Sequence, residues 1–242
     1  MGQRYFLEQP PSSDVTEIIL DGQEAQHLIK VMRAKPDEVV ELFDGSGVEW
    51  QARILEIRRN EATLEILSSQ EISREPAVKL TLGIALPKGD RQKWVIGKLV
   101  ELGVYQVIPL LTENGVSQPV EKAIGRLRRQ VIEASKQCGR NRLMQIAEPC
   151  QLSTLLGQQF AHSWIAHPLS AERAVDISLA SITGLHVESG AACVLIGPEG
   201  GFSVEEVSKA FAAGWTPIEL GARVLRIETA ALAVAAQLLL GQ

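Results

Sequence analysis

Cysteine, aromatic residues and long apolar runs are all scarce in this sequence. Cys138, Cys150 and Cys193 are scattered and odd in number, which excludes a disulfide framework and a cysteine-based zinc cluster. His27, His162, His167 and His186 show no ligand spacing, so no metal site is expected. The longest nearly apolar stretch, Ala230 to Leu240, is interrupted by Gln237 and is too short to span a bilayer. No signal peptide is recognisable, and Phe6 stands where a myristoylation signal needs Ser or Thr. The expectation is a cytoplasmic protein with no membrane partner. A P-loop lysine followed by Ser or Thr is missing, as is the G-x-G-x-x-G dinucleotide turn, which disfavours nucleotide hydrolysis.

What is present is a globular composition, 45% hydrophobic and 22% charged over 242 residues, enough for one large domain or two ordinary ones. The net charge of −5 is unevenly placed. From Lys122 to Arg142 seven basic residues (Lys122, Arg126, Arg128, Arg129, Lys136, Arg140 and Arg142) face Glu133 alone. That segment is therefore +6 and the remainder −11. Such a face can dock a phosphate backbone or be a solvated helix surface.

The first 70 residues read mainly as strands: Arg4 to Leu7, Glu17 to Leu20, Glu38 to Phe43, Glu49 to Ile57 and Ala62 to Leu67. Asp44-Gly45-Ser46-Gly47 marks a hairpin, and the spacing of the strands suggests a small barrel. One helix interrupts them, with Asp21 and Glu24 as a capping box and Ala25, Leu28, Ile29 and Met32 on one face. Lys30, Arg33 and Lys35 beside it can touch phosphate or, taken singly, be ordinary surface. A polar linker is expected between Ser68 and Pro76, dividing the chain into domains 1–72 and 73–242. From Val78 onward strands alternate with helices, which implies an α/β domain with a mainly parallel sheet. The last helix is apolar all round, and such a helix is either central to a core or part of a subunit interface.

One stretch concentrates the chemistry. The apolar run Ala191 to Ile196 breaks into Gly197-Pro198-Glu199-Gly200-Gly201, and Ser203 with Glu206 then forms a second capping box. A strand, a glycine loop and a helix start describe a ligand site at the end of a parallel strand. Glu199 would repel a polyphosphate and suits ribose hydroxyls, an amine or a sulfonium; the alternative is a tight turn before a helix. Two other loops follow strands in the same way, His167-Pro168-Leu169-Ser170 and Leu220-Gly221-Ala222-Arg223-Val224-Leu225-Arg226.

Almost the whole chain resembles the bacterial 16S ribosomal RNA N3-methyluridine methyltransferases of the SPOUT superfamily. The residues that carry the resemblance are Arg4-Tyr5-Phe6, His27-Leu28 with Val31-Met32-Arg33, Phe43-Asp44-Gly45, and Lys88-Gly89-Asp90-Arg91 with Trp94. With them go Glu101-Leu102-Gly103-Val104, Glu133-Ala134 with Gln137-Cys138-Gly139-Arg140, Gly197 to Phe202, and Leu220-Gly221 through Arg226 to Glu228-Thr229-Ala230. One departure is Ala34-Lys35-Pro36-Asp37-Glu38, where the family usually has a glycine-aspartate turn.

The resemblance implies a PUA-like β-barrel that binds RNA, followed by an α/β SPOUT-type domain with a mainly parallel sheet and a carboxyl-terminal trefoil knot. It further implies S-adenosylmethionine as cofactor, 16S ribosomal RNA or the small subunit as partner, and a homodimer. The family's three-loop site assigns cofactor contacts to His167, Pro168, Leu195, Ile196, Gly197, Pro198, Glu199, Gly200, Gly201, Leu220, Gly221, Val224, Leu225, Arg226 and Ala230. Arg140, Glu199, Arg226 and Glu228 are the catalytic candidates. Arg140 would bind phosphate or orient the base, and Glu199 would act as proton acceptor or ribose ligand. Arg226 and Glu228 would take part in the reaction or cap the knot. RNA contacts are expected from Arg4, Lys30 and Arg33 on the barrel and from Lys88, Arg91, Arg140 and Arg142 on the catalytic domain. Two other readings stay open: a non-catalytic RNA-binding assembly factor, and an S-adenosylmethionine-dependent enzyme acting on a small molecule.

Overall fold

The computed structural model describes residues 3–12, 15–115, 121–167, 180–181, 185 and 187–240. They divide into two compact units, Met1–Glu75 with Ser135–Leu143, and Pro76–Ala134 with Met144–Gln242.

The first unit contains β1 (Arg4–Phe6), β2 (Glu17–Leu20), α1 (Gly22–Gln26), a π-helical turn (His27–Val31), β3 (Val39–Phe43), β4 (Val48–Ile57) and β5 (Ala62–Glu71). The strands pair in the order β1-β3-β4-β5-β2, parallel between β1 and β3 and antiparallel elsewhere. Two register shifts in the β4–β5 ladder, at Gln51/Ala52 and Ile54/Glu56, are the irregularities that bend and twist a sheet. The inward positions of every strand meet in one core: Tyr5, Leu20, Val40, Leu42, Ala52, Ile54, Ala62 and Leu64, with Leu28 from the π-helical turn.

Three local expectations fail here. Ser68–Glu71, read as linker, continue β5, because the ladder to Val48–Gln51 satisfies their backbone whatever their side chains. Asp21 does cap α1 by position, but its side chain makes no cap bond. Glu24, its expected partner, instead accepts from Phe6 N–H at 3.2 Å and from Lys136 Nζ at 2.9 Å. Met32, expected on the buried helix face, is 42% exposed. The π-helical turn causes this: Met32 N–H reaches back to the His27 carbonyl and Ala34 N–H to that of Leu28. The extra residue per turn rotates Val31 and Met32 away from the core. Arg33 ends the turn at φ 53°, a left-handed conformation that costs a side-chain-bearing residue about 1–2 kcal/mol.

The segment Ser135–Leu143 completes this unit. Asn141 Nδ2 donates to the carbonyls of Gly47 (2.9 Å) and Ile72 (2.8 Å), and Leu143 N–H donates to that of Gly45 (3.2 Å). The Arg140 guanidinium grips the Glu75 carboxylate with two bonds, at 2.8 and 2.5 Å, and the residue is 5% exposed. Arg140 and Arg142, expected on the catalytic domain, therefore belong to the first unit.

The second unit is built on β6 (Val78–Ile84), α2 (Asp90–Glu101), β7 (Gln106–Leu111), α3 (Glu121–Cys138, whose last four residues fall in the first unit), β8 (Gln145–Ile146), β9 (Cys150–Gln151) and α4 (Leu152–Leu156). It continues with β10 (His162–Ala166), β11 (Ala180–Ser181), β12 (Gly190–Ile196), α5 (Val204–Ala212), β13 (Thr216–Glu219) and α6 (Ile227–Leu239). The sheet order is β11-β13-β10-β12-β6-β7-β8, with β9 beside β7, and every described pairing is parallel. The central strands β6 and β12 are apolar through consecutive residues, the composition of strands covered on both faces. From β6 the chain builds β7 and β8 on one side and returns to build β10, β12 and β13 on the other. The order therefore reverses between β6 and β12.

Candidate functional site

In an open parallel sheet, the crevice for ligands lies beyond the carboxyl ends of the strands where the order reverses. Here the register aligns those ends. Ile196 pairs with Ala166 of β10 and Ile84 of β6, and Ala166 also pairs with Ile218 of β13. The loops opening at His167, Gly197 and Leu220 thus leave one edge of the sheet side by side. A cavity of about 230 Å³ lies at the reversal, lined by Ala85, Leu86, Lys88, Arg91, Gly115, Pro198 and Glu199.

The glycine loop takes its form from local chemistry. Gly201 stands at φ 72° and donates to the Pro198 carbonyl at 2.8 Å, closing a turn. A Cβ on Gly197 would lie 3.1 Å from the Phe202 ring, and one on Gly200 would lie 3.3 Å from Asn114. Both contacts are tighter than ordinary van der Waals distance, so a side chain at either position would push its neighbour by a few tenths of an ångström. The expected capping box is present: Ser203 Oγ accepts from Glu206 N–H, and Glu206 Oε2 accepts from Ser203 N–H.

The other Glu206 oxygen accepts from Glu113 N–H at 3.0 Å. Next along the chain, Asn114 Nδ2 donates to the Gly201 carbonyl at 3.1 Å. The loop after β7 is thereby clamped to the glycine loop, an arrangement with no signal in sequence spacing.

Charge at the site centres on Arg91. One guanidinium nitrogen lies 3.3 Å from Glu199 Oε1 and the other 3.5 Å from Glu228 Oε1, so one cation joins the glycine loop to the first turn of α6. A cation in the first turn of α2 faces the positive end of that helix's dipole, and two carboxylates offset the repulsion. Glu228 is 9% exposed, and its Oε2 has no hydrogen-bond partner among the described residues.

The family model of an RNA methyltransferase domain matches residues 74–239, and that of an RNA methyltransferase PUA domain matches residues 20–67. The chain belongs to the RNA methyltransferase family. A ribosomal RNA small subunit methyltransferase E from Buchnera aphidicola (subsp. Schizaphis graminum) is 30% identical, over 95% of this chain and 91% of the relative. That of Bacillus subtilis is 25% identical, over 95% and 93%. The crystal structure of a ribosomal RNA small subunit methyltransferase E from Neisseria gonorrhoeae bound to S-adenosyl methionine matches with a TM-score of 0.85. It is 31% identical and covers 98% of this chain and 96% of that one. The fold class is accordingly the α/β SPOUT type with a PUA-like domain before it.

Within this methyltransferase the expected cofactor residues fall into four groups. Gly197, Pro198, Glu199, Gly200 and Gly201 form the glycine loop, with Glu199 at the cavity. His167, Leu220 and Gly221 open the neighbouring loops, while Pro168 lies outside the described residues. Leu195, Ile196 and Ala230 are buried, so the first two offer a ligand only their backbone. Val224 is 89% exposed, Leu225 is half-buried and Arg226 is the exposed N-cap of α6.

The expected RNA contacts separate in the same way. Lys30, Arg33, Lys88 and Arg142 are exposed. Arg4 is not available to phosphate: it is 9% exposed, pairs with Glu41 (2.6 Å) and Glu49 (2.7 Å), and lies 4.7 Å from the Phe43 ring centroid. Arg140 is similarly committed to Glu75, and Arg91 joins Glu199 and Glu228. Sequence reasoning gave these arginines to RNA because the acids that hold them lie tens of residues or more away in the chain. It also missed Asn114, Gly115 and the second role of Glu206. Among the described residues no cluster of His, Cys, Asp and Glu suits a metal, and no helix is long and apolar enough to cross a membrane.

Proposed function

We propose that this chain uses S-adenosylmethionine to methylate N3 of a uridine in 16S ribosomal RNA. It would work on the small subunit, in the cytoplasm, as a homodimer. The observation that carries the reading is the ionic group Arg91–Glu199–Glu228 at the reversal of a parallel sheet, with one buried carboxylate oxygen left without a donor among the described residues.

The site suits the cofactor by its chemistry. The bare backbone of Gly197 and Gly200, and the edge formed by Leu195, Leu220 and Leu225, offer amides and carbonyls to adenine and ribose. The Glu199 carboxylate suits ribose hydroxyls or a cationic centre. When bound, S-adenosylmethionine supplies an electrophilic methyl group on sulfonium sulfur.

The residues of the chain supply the rest. Uridine N3 carries a proton, and its lone pair is delocalised into the imide, so it is a poor nucleophile until that proton leaves. Glu228 is the acceptor in this reading: it takes the N3 proton while the electron pair stays on N3 to form the new bond. Arg91 holds both carboxylates in place, and Arg226, exposed at the head of α6, offsets charge developing on O2 and O4. Lys30, Arg33, Lys88 and Arg142 hold the RNA backbone. The apolar α6, with Leu240 65% exposed just beyond it, supplies the dimer contact.

The test is transfer of labelled methyl from S-adenosylmethionine to small subunits purified from cells lacking this gene, followed by nucleoside mass spectrometry. The expected product is 3-methyluridine, and no transfer by active protein refutes the reading. Glu228→Gln should lower kcat by about 10²–10⁴-fold, the usual contribution of a positioned base, and leave cofactor affinity within about threefold. An unchanged kcat would remove Glu228 from that role.

A further inference from the structure

The π-helical turn carries an assignment beyond methyl transfer, though it rests on the chain acting on RNA. Its His27–Met32 and Leu28–Ala34 hydrogen bonds, and the left-handed Arg33, turn two apolar side chains outward. Val31 is 65% exposed and Met32 42% exposed. An ordinary α-helical continuation would have kept Met32 one turn after Leu28, on the core face. The backbone thus adopts a disfavoured shape whose visible result is an apolar tip in water, and such strain persists where it serves a function.

The charges around the tip decide its partner. Residues 30–35 contain Lys30, Arg33 and Lys35 and no acid, and all three cations are exposed. Apolar side chains between cations suit single-stranded nucleic acid, where phosphates alternate with unstacked bases offering flat, weakly hydrated faces. A hydrophobic groove on a protein partner would need acids around it to match these cations.

We propose that Val31 and Met32 form a wedge that packs against an unstacked base of the substrate RNA, while Lys30, Arg33 and Lys35 hold the adjoining phosphates. The wedge gives the first unit a contact with bases in addition to its hold on the backbone.

Salt dependence separates the two kinds of contact, because only lost phosphate contacts change the slope of log K against log salt. Binding of a 16S RNA transcript, and of small subunits from cells lacking the gene, would be measured from 50 to 300 mM salt. Val31→Ser/Met32→Ser should weaken transcript binding about tenfold, as expected for partial burial of two apolar side chains, with an unchanged slope. Lys30→Gln/Arg33→Gln should flatten the slope by about 1–2, from some 0.7 per phosphate on a single strand. Cofactor affinity and thermal midpoint should match wild type in both variants, since all four side chains are exposed. Wild-type transcript binding by the Ser variant would overturn the wedge. So would a loss seen with assembled subunits and not with naked RNA, which assigns the tip to a ribosomal protein, or a change in molecular mass, which assigns it to a second copy. A wild-type chain that binds no RNA and transfers no methyl overturns the RNA reading itself, and the wedge with it.

Discussion

Glu206 is the side chain on which the glycine loop most depends. It is 6% exposed, with Oε2 accepting from Ser203 N–H at 2.8 Å and Oε1 from Glu113 N–H at 3.0 Å. Glu206→Ala removes both acceptors and leaves two backbone donors without partners. Hydrogen bonds to a charged group contribute about 1.5–3 kcal/mol each and do not add fully, so the expected loss is about 3 kcal/mol. For a chain of this size that corresponds to a fall of about 6–12 °C in Tm. Glu206→Gln keeps one acceptor and presents an amide donor to the other N–H, so it should lose roughly half as much.

Urea unfolding followed by tryptophan fluorescence reads the stability, since Trp164 and Trp215 are buried in the same unit. Calorimetry with S-adenosylmethionine reads the loop. With Glu113 released, the Asn114 hold on Gly201 slackens, and cofactor affinity should fall several-fold. A loss below about 1 kcal/mol for Glu206→Ala, or equal losses for Ala and Gln, would refute the double-acceptor account.

Two further outcomes follow from buried groups. Arg140→Ala leaves the Glu75 carboxylate without its cation, and breaking such a pair costs about 3–5 kcal/mol. Denaturation should show that loss, reduced in Arg140→Ala/Glu75→Ala, with the salt dependence of RNA binding unchanged; wild-type stability with a flatter salt slope would return Arg140 to phosphate binding. Burial pushes the Cys193 thiol up to about 12, so the reactive thiolate is scarce at pH 8. Alkylation of native protein, read by mass spectrometry, should mark the half-buried Cys138 first and Cys193 only on unfolding, and equal rates would refute this.

Two capping boxes of the same form met different fates, which shows how far local pattern reaches. Ser203 and Glu206 bond as their spacing predicts, because Glu206 has an oxygen for each partner: Oε2 stays with Ser203 N–H while Oε1 takes the distant Glu113 N–H. Glu24 has the same spacing from Asp21 but is drawn away by Lys136, 112 positions along the chain. The parallel sheet and the glycine loop were legible because apolar runs and glycine clusters are local signals. The two-residue strands β8 and β9 were too short to leave any period, and α4 is only one turn long. At the site, the strand ends and Glu199 could be read from spacing. The joining of Arg91 to both carboxylates could not, because it depends on α2, the glycine loop and α6 meeting at one point.

The nine residues of Ser135–Leu143 set an order in time. A ribosome adds about 5–20 residues per second, so the strands of the first unit are complete roughly 3–14 s before Leu143 is made. During that interval Glu24 and Glu75 have no cation from this segment, and the carbonyls of Gly47 and Ile72 have no Asn141. A gene fragment ending at Glu75 would hold its nascent chain permanently in that state. The unit is thus not a module that can be cut out or grafted at a single boundary: its sequence is interrupted, and any exchange between relatives must carry both pieces.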